Sequence, residues 1–123
     1  HVDYFKSLEQ IIESFGKYAS LTGKDGYAIA CADDENIMKA VENYEGTLVT
    51  FGLDTDADFT AKNITHSCDI QEFDVYKNGE FLVRVNLPAF GKHSILNALA
   101  AFAAAYSLLC TLRKEARRRW KNV

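Results

Sequence analysis

Apolar positions along this chain change period once, and the change separates a helical and mixed first half from a strand-rich second half. Leu8, Ile11, Ile12, Phe15 and Ala19 recur at helical spacing, and Ser7 with Gln10 three residues on forms a capping box, so the pattern predicts an amphipathic helix ending near Gly23. Tyr27 to Cys31 is a short apolar run with the length of a buried strand. Asp33 and Asp34 give helix-start signals, Ile37, Ala40, Val41 and Tyr44 follow at helical spacing, and Gly46 stops that helix. Thr47 to Phe51 is the next β-rich run, and strand, helix and strand in so short a span predict one parallel right-handed crossover.

From Ala57 the period is two. Phe59 and Ala61, then Phe73 and Val75, then Phe81, Val83, Val85 and Leu87 alternate with other residues, which predicts half-exposed antiparallel strands with these side chains on one face. Asn78-Gly79 is a two-residue type I′ turn signal and joins Glu72–Lys77 to Glu80–Leu87 as a hairpin. Pro88 closes the second strand because it cannot donate to a ladder, and Ser94 is placed to cap a long Ala/Leu helix. The expected fold class is α/β. It comprises a short parallel strand-helix-strand unit, a small antiparallel sheet with the Asn-Gly hairpin and a long C-terminal helix, in one domain.

Composition adds limits rather than a function. With 48% apolar and 25% charged residues, 123 residues suffice for one soluble domain with its own core. The net charge of -3 hides an asymmetry: residues 1–112 carry 8 basic and 16 acidic side chains, whereas Arg113, Lys114, Arg117, Arg118, Arg119 and Lys121 face only Glu115. Cations at the end of a helix oppose its dipole, and an acidic body repels polyanions, so no nucleic-acid partner is expected. Ile95 to Leu112 is uncharged and reaches the lower edge of a membrane-spanning length, but its alanines, Asn97, Ser107 and Thr111 read as a buried helix, with no membrane partner. Cys31, Cys68 and Cys110 are odd in number and far apart. Two of them sit in apolar runs, as small core residues do in a reducing compartment, and the opening residues lack the apolar core of a secretory signal; the expected location is cytoplasmic.

Candidate chemistry is sparse. The 123 residues hold no GxxxxGK[ST] phosphate loop, no GxSxG elbow, no HExxH pair and no CxxC. ATP chemistry needs backbone amides and a lysine around the phosphates, so this stretch alone is expected to be catalytically silent. Gly91-Lys92-His93-Ser94-Ile95-Leu96-Asn97 is the most suggestive segment, since a glycine turn opens a helix there and a carboxamide such as Asn97 can both donate to and accept from a purine edge. The residues alone leave open that Asn97 only helps satisfy the helix end and that His93 is an ordinary loop residue. His1 and Asp3 are metal-ligand types, equally readable as a solvated terminus.

Several stretches together resemble the Mur ligase family, and within it the UDP-N-acetylmuramate:L-alanine ligases of Gram-positive type. His1-Val-Asp-Tyr-Phe followed by Ser7-Leu-Glu-Gln-Ile-Ile is similar to the family's segment after its Asn-Ile-x-x-Asp stretch. Cys31-Ala-Asp-Asp-Glu, Thr50-Phe-Gly-Leu and Ala57-Asp-Phe-Thr-Ala-Lys-Asn-Ile resemble further family segments. The closest likeness is Leu87-Pro-Ala-Phe-Gly-Lys-His-Ser-Ile-Leu-Asn-Ala-Leu-Ala-Ala, against Pro-x-x-Gly-x-His-Asn-x-x-Asn-Ala-x-Ala-Ala, with Ser94 where the family has asparagine. The likeness covers roughly residues 1–108 and implies a single partial domain, the C-terminal half of a central ATP-binding domain, with 109–123 an atypical basic tail. It implies ATP and Mg²⁺ as cofactors, His1 on the Mg²⁺ side, Asn97 on the adenine with His93 beside the nucleotide, and Arg119 as a counterpart of an arginine that approaches the ATP phosphates. The implied reaction of an intact enzyme is phosphorylation of the UDP-N-acetylmuramate carboxylate, then attack by the L-alanine amine. Two alternatives stand beside it: a related amide ligase of folylpolyglutamate or cyanophycin type, and a non-enzymatic module that forms a homodimer through an exposed sheet edge.

Overall fold

A computed structural model describes residues 26–121; the predicted helix over residues 8–23 and the candidate ligand His1 lie outside the described residues. Five strands and two helices follow in the order β1 (Tyr27–Cys31), α1 (Glu35–Ala40), β2 (Thr47–Gly52), β3 (Phe59–His66), β4 (Gln71–Lys77), β5 (Glu80–Leu87) and α2 (Lys92–Lys121). The strands form one sheet in the order β1-β2-β3-β4-β5. β1 and β2 run parallel around α1, as the crossover pattern predicts, although α1 ends at Ala40 with Val41 as its cap, short of Tyr44 and of the expected stop at Gly46; β3, β4 and β5 are antiparallel. The two halves are thus joined into one surface by the parallel β2–β3 pairing. That pairing spans only Phe51↔Phe59 and Gly52↔Thr60, and side chains extend it: the Thr50 N–H donates to Asp58 Oδ2 at 2.9 Å, and the Asp58 N–H donates back to Thr50 Oγ1 at 3.0 Å.

The period-two positions form the core. Phe59, Ala61, Phe73 and Val75 join Tyr27, Val49 and Phe51 on one face of the sheet, and Ile95, Leu99, Ala100 and Ala103 of α2 close over them. Asn78 and Gly79 both take positive φ, 52° and 82°, the left-handed pair that a type I′ turn requires, so the hairpin forms as expected. Cys31 and Cys110 pack partly buried against this core.

Three further expectations need correction. Phe81 does not share the inner face with Val83 and Val85, because the register shifts between Val75 and Tyr76 and sets Phe81 opposite Tyr76. One extra residue in a strand turns the following side chains to the other face; Phe81 is 59% exposed and makes an edge contact with the Tyr76 ring at 5.9 Å. Second, α2 begins at Lys92, and Ser94 lies inside its first turn, where its hydroxyl donates to the Phe90 carbonyl at 3.1 Å instead of capping. Third, α2 is buried on one face only: Ile95, Leu99, Ala103 and Ser107 are covered, while Leu108, Leu109 and Leu112 are exposed. Thirty helical residues extend about 45 Å, whereas strands of five to eight residues extend roughly 17–26 Å, so the helix overruns the sheet. By length and composition alone α2 could also cross a membrane. The basic tail continues this helix without a break to Lys121.

Candidate functional site

Side-chain hydrogen bonds that cross the topology gather where the two parallel strands end. Asp34 and Asp33 look alike in sequence but separate in role. Asp34 caps α1, accepting from the Asn36 and Ile37 N–H groups. Asp33 turns to the loop after β2: Oδ2 accepts from the Leu53 N–H at 2.8 Å, and Oδ1 accepts from the Thr55 hydroxyl at 2.7 Å and the Asp54 N–H at 3.2 Å. Burial opposes ionisation of Asp33, but these bonds and the charge of Lys92 outweigh it and hold the carboxyl below its ordinary value. A Cβ on Gly52 would stand 2.8 Å from Asp33 Oδ1, so the strand end is glycine where the carboxylate approaches.

The start of α2 is tied to the same end of the sheet. Lys92 forms an ion pair with Asp54, and that hydrogen bond raises the Lys92 ammonium above its ordinary value. The loop before it is held from β4, where the Gln71 carboxamide bonds to Ala89 and Gly91. A helix start is therefore anchored outside the carboxyl ends of parallel strands, the usual position of ligand crevices in open α/β sheets.

Two distinct surfaces flank this helix start. His93 and Asn97, four residues apart, share a helix face. Among the described residues the Asn97 carboxamide takes no hydrogen bond, so both its donor and its acceptor remain available on a partly exposed surface. His93 stands in the first turn of α2, not in the preceding loop. Ile95 lies about 200° around the helix from Asn97 and faces the sheet. On that side is a cavity of about 400 Å³, floored by Leu53, Ala61, Ile64 and Ile95 and edged by His66 and the Asp54–Lys92 pair. The cavity and the His93–Asn97 face are thus separate.

The remaining candidates do not join them. Arg119 lies on the same continuous helix, about 33 Å along its axis from Asn97, and pairs with Glu115 at 3.5 Å. One copy of the chain does not bring Arg119 to Asn97. His1 is outside the described residues, and among those described no group of three or more His, Cys, Asp or Glu is placed to hold a metal ion. Sequence reasoning missed Asp33 and Gln71 as organisers of the site. Gln71 carried a signal, since it extends the two-residue period of Phe73 and Val75 inward.

The chain matches the family described as Mur ligase middle domain over residues 1–105. It is similar to the UDP-N-acetylmuramate–L-alanine ligase of Caldanaerobacter subterraneus subsp. tengcongensis, with 41% identity over 88% of this chain and 24% of the relative. Against the enzyme of the same name from Clostridium tetani the identity is 43%, again over 88% of this chain and 24% of the relative. Among solved structures, the UDP-N-acetylmuramate-alanine ligase of Thermotoga maritima aligns with a TM-score of 0.55 and 29% identity, over 67% of this chain and 17% of that one. The chain therefore spans about a quarter of the length of the curated relatives it matches.

Proposed function

This chain belongs to the Mur ligase middle-domain family, and we propose that it supplies the adenine-facing edge of an ATP-dependent ligase of peptidoglycan synthesis. The reaction of that ligase joins L-alanine to UDP-N-acetylmuramate through an acyl phosphate, and the relatives from Caldanaerobacter and Clostridium tetani support this choice over a folylpolyglutamate or cyanophycin ligase. The observation that carries the reading is Asn97. Its carboxamide makes no hydrogen bond among the described residues, shares a helix face with His93, and stands on a helix start fixed outside the carboxyl ends of β1 and β2. A carboxamide so placed can donate to and accept from a purine edge. Arg119 is given no part in this contact within one copy, because of its distance along α2.

ATP supplies the phosphoryl group in such a ligase, and Asn97 and His93 are the residues of this chain assigned to its base. Mg²⁺ belongs to the same reading with His1 on its side, but the donors among the described residues do not gather into a metal site. A cytoplasmic location accompanies an enzyme that consumes ATP and a UDP-sugar. A second reading, a module that associates with its own copies, rests on β1, whose outer edge has no partner strand among the described residues.

Titration of the 123-residue chain with ATP, ADP and adenosine, followed by amide NMR, tests the first reading. With no phosphate loop in the sequence, binding is expected at about 1 mM or weaker, roughly -4 kcal/mol, and nearly alike for the three ligands. Asn97→Ala should erase the shifts around residues 91–99. Micromolar binding with strong preference for ATP over adenosine, or shifts indifferent to Asn97→Ala, refutes the assignment.

A further inference from the structure

Gln71 opens β4 and is 1% exposed, on the face that carries Phe73 and Val75. A buried carboxamide in an apolar core is costly unless its donors and acceptors are met, and here all are. Oε1 accepts from the Gly91 N–H at 3.3 Å and pairs with His66 Nε2 at 2.8 Å, while Nε2 donates to the Gly91 carbonyl at 3.2 Å and the Ala89 carbonyl at 3.4 Å. Carbonyls on one side and an N–H on the other fix which end of the carboxamide is oxygen. Oε1 can only accept, so His66 Nε2 is the donor in this bond.

Three of the four bonds end on residues 89–91, the segment that delivers the chain into α2. Gly91 takes φ +96° there, a conformation that does not hold itself in place. We propose that Gln71 is a positioning residue for the nucleotide-facing start of α2, acting through the Gly91 turn on His93 and Asn97. The inference rests on the reading of Asn97 given above. Gln71 touches neither residue. It clamps the turn from the sheet side while the Asp54–Lys92 pair clamps it from the loop after β2, so the helix start has one direction relative to the strand ends. Without the clamp the helix still packs through Ile95 and Leu99, but its first turn samples several arrangements. Apparent affinity falls by the fraction that remains competent.

Gln71→Leu keeps the volume and removes all four bonds. In amide NMR of the 123-residue chain, the variant should keep the dispersed signals of the β4–β5 hairpin, exchange the amides of residues 91–93 about fivefold faster, and bind adenosine about fivefold more weakly. His66→Ala removes the one Gln71 bond that does not end on the turn, together with the ring contact to Phe90 at 6.0 Å, and leaves the three bonds to residues 89–91, so adenosine affinity should fall less than in Gln71→Leu. Gln71→Met keeps the unbranched shape of glutamine and removes the same four bonds; it decides the matter if Gln71→Leu does not fold. A folded Gln71→Leu or Gln71→Met with unchanged exchange and unchanged adenosine affinity overturns the proposal, as does a loss of stability with affinity intact. If the wild-type chain shows no adenosine shifts while Gln71→Leu still frees the 91–93 amides, the nucleotide reading falls and the clamp stands.

Discussion

Asp33 and Asp34 allow one substitution to be tried at adjacent positions with opposite expectations. Asp33→Asn leaves one acceptor oxygen where two are in use. If it takes the place of Oδ1, it retains the Thr55 hydroxyl and the Asp54 N–H, but the new NH₂ then confronts the Leu53 N–H, which now donates at 2.8 Å. A hydrogen bond to a charged acceptor is worth about 1.5–3 kcal/mol. The attraction of Lys92, which stands in solvent, adds little, and water at this half-exposed rim returns part of the loss. The net cost is about 2 kcal/mol, which at a slope near 2 kcal/mol/M lowers a urea midpoint by about 1 M. Asp34→Asn exchanges one good N-cap for another and should cost a few tenths of a kcal/mol. The acid limb provides a second reading of the same site. Because folding lowers the Asp33 pKa, its contribution is fully present above the unfolded value of about 4 and fades as pH falls through the folded value, and Asp33→Asn should flatten that limb. Equal urea midpoints for the two variants, or an acid limb unchanged in Asp33→Asn, would refute the reasoning.

The β4–β5 register shift predicts that Phe73→Ala, at 0% exposure, costs about 4 kcal/mol in urea unfolding, whereas Phe81→Ala, at 59%, costs under about 1 kcal/mol; similar losses would place Phe81 in the core after all. The β1 edge predicts a species heavier than 13.8 kDa in sedimentation across a concentration series, and a clean monomer at high concentration counts against the self-association reading. The 123-residue chain incubated with ATP, Mg²⁺, UDP-N-acetylmuramate and L-alanine should release no phosphate above a no-protein control. Release that follows the protein through purification would disprove this.

What could be read from the sequence was whatever is settled within a few neighbours. The alternation of Phe73 and Val75 and the Asn78-Gly79 turn needed no knowledge of distant residues, and β4, β5 and their hairpin formed accordingly. His93 and Asn97 share a face for the same local reason, a spacing of four on a helix. The contacts that give this face a fixed place are of another kind. Asp33 reaches Leu53 across 20 positions, Gln71 reaches Gly91 across 20, and Lys92 reaches Asp54 across 38. No period or motif encodes such pairs, because each depends on which strands become neighbours. Two like residues in a row, Asp33 and Asp34, could only be read as one helix-start signal until the loop after β2 was placed beside them. Arg119 shows the converse. Its motif spacing left the position open, and the unbroken run of α2 then set it about 33 Å from Asn97. The residues proposed to face the nucleotide lie in a local motif, while the contacts that fix where that motif stands come from the topology. A substitution at Gln71 should therefore alter nucleotide binding although nothing near position 71 in the sequence resembles a binding site.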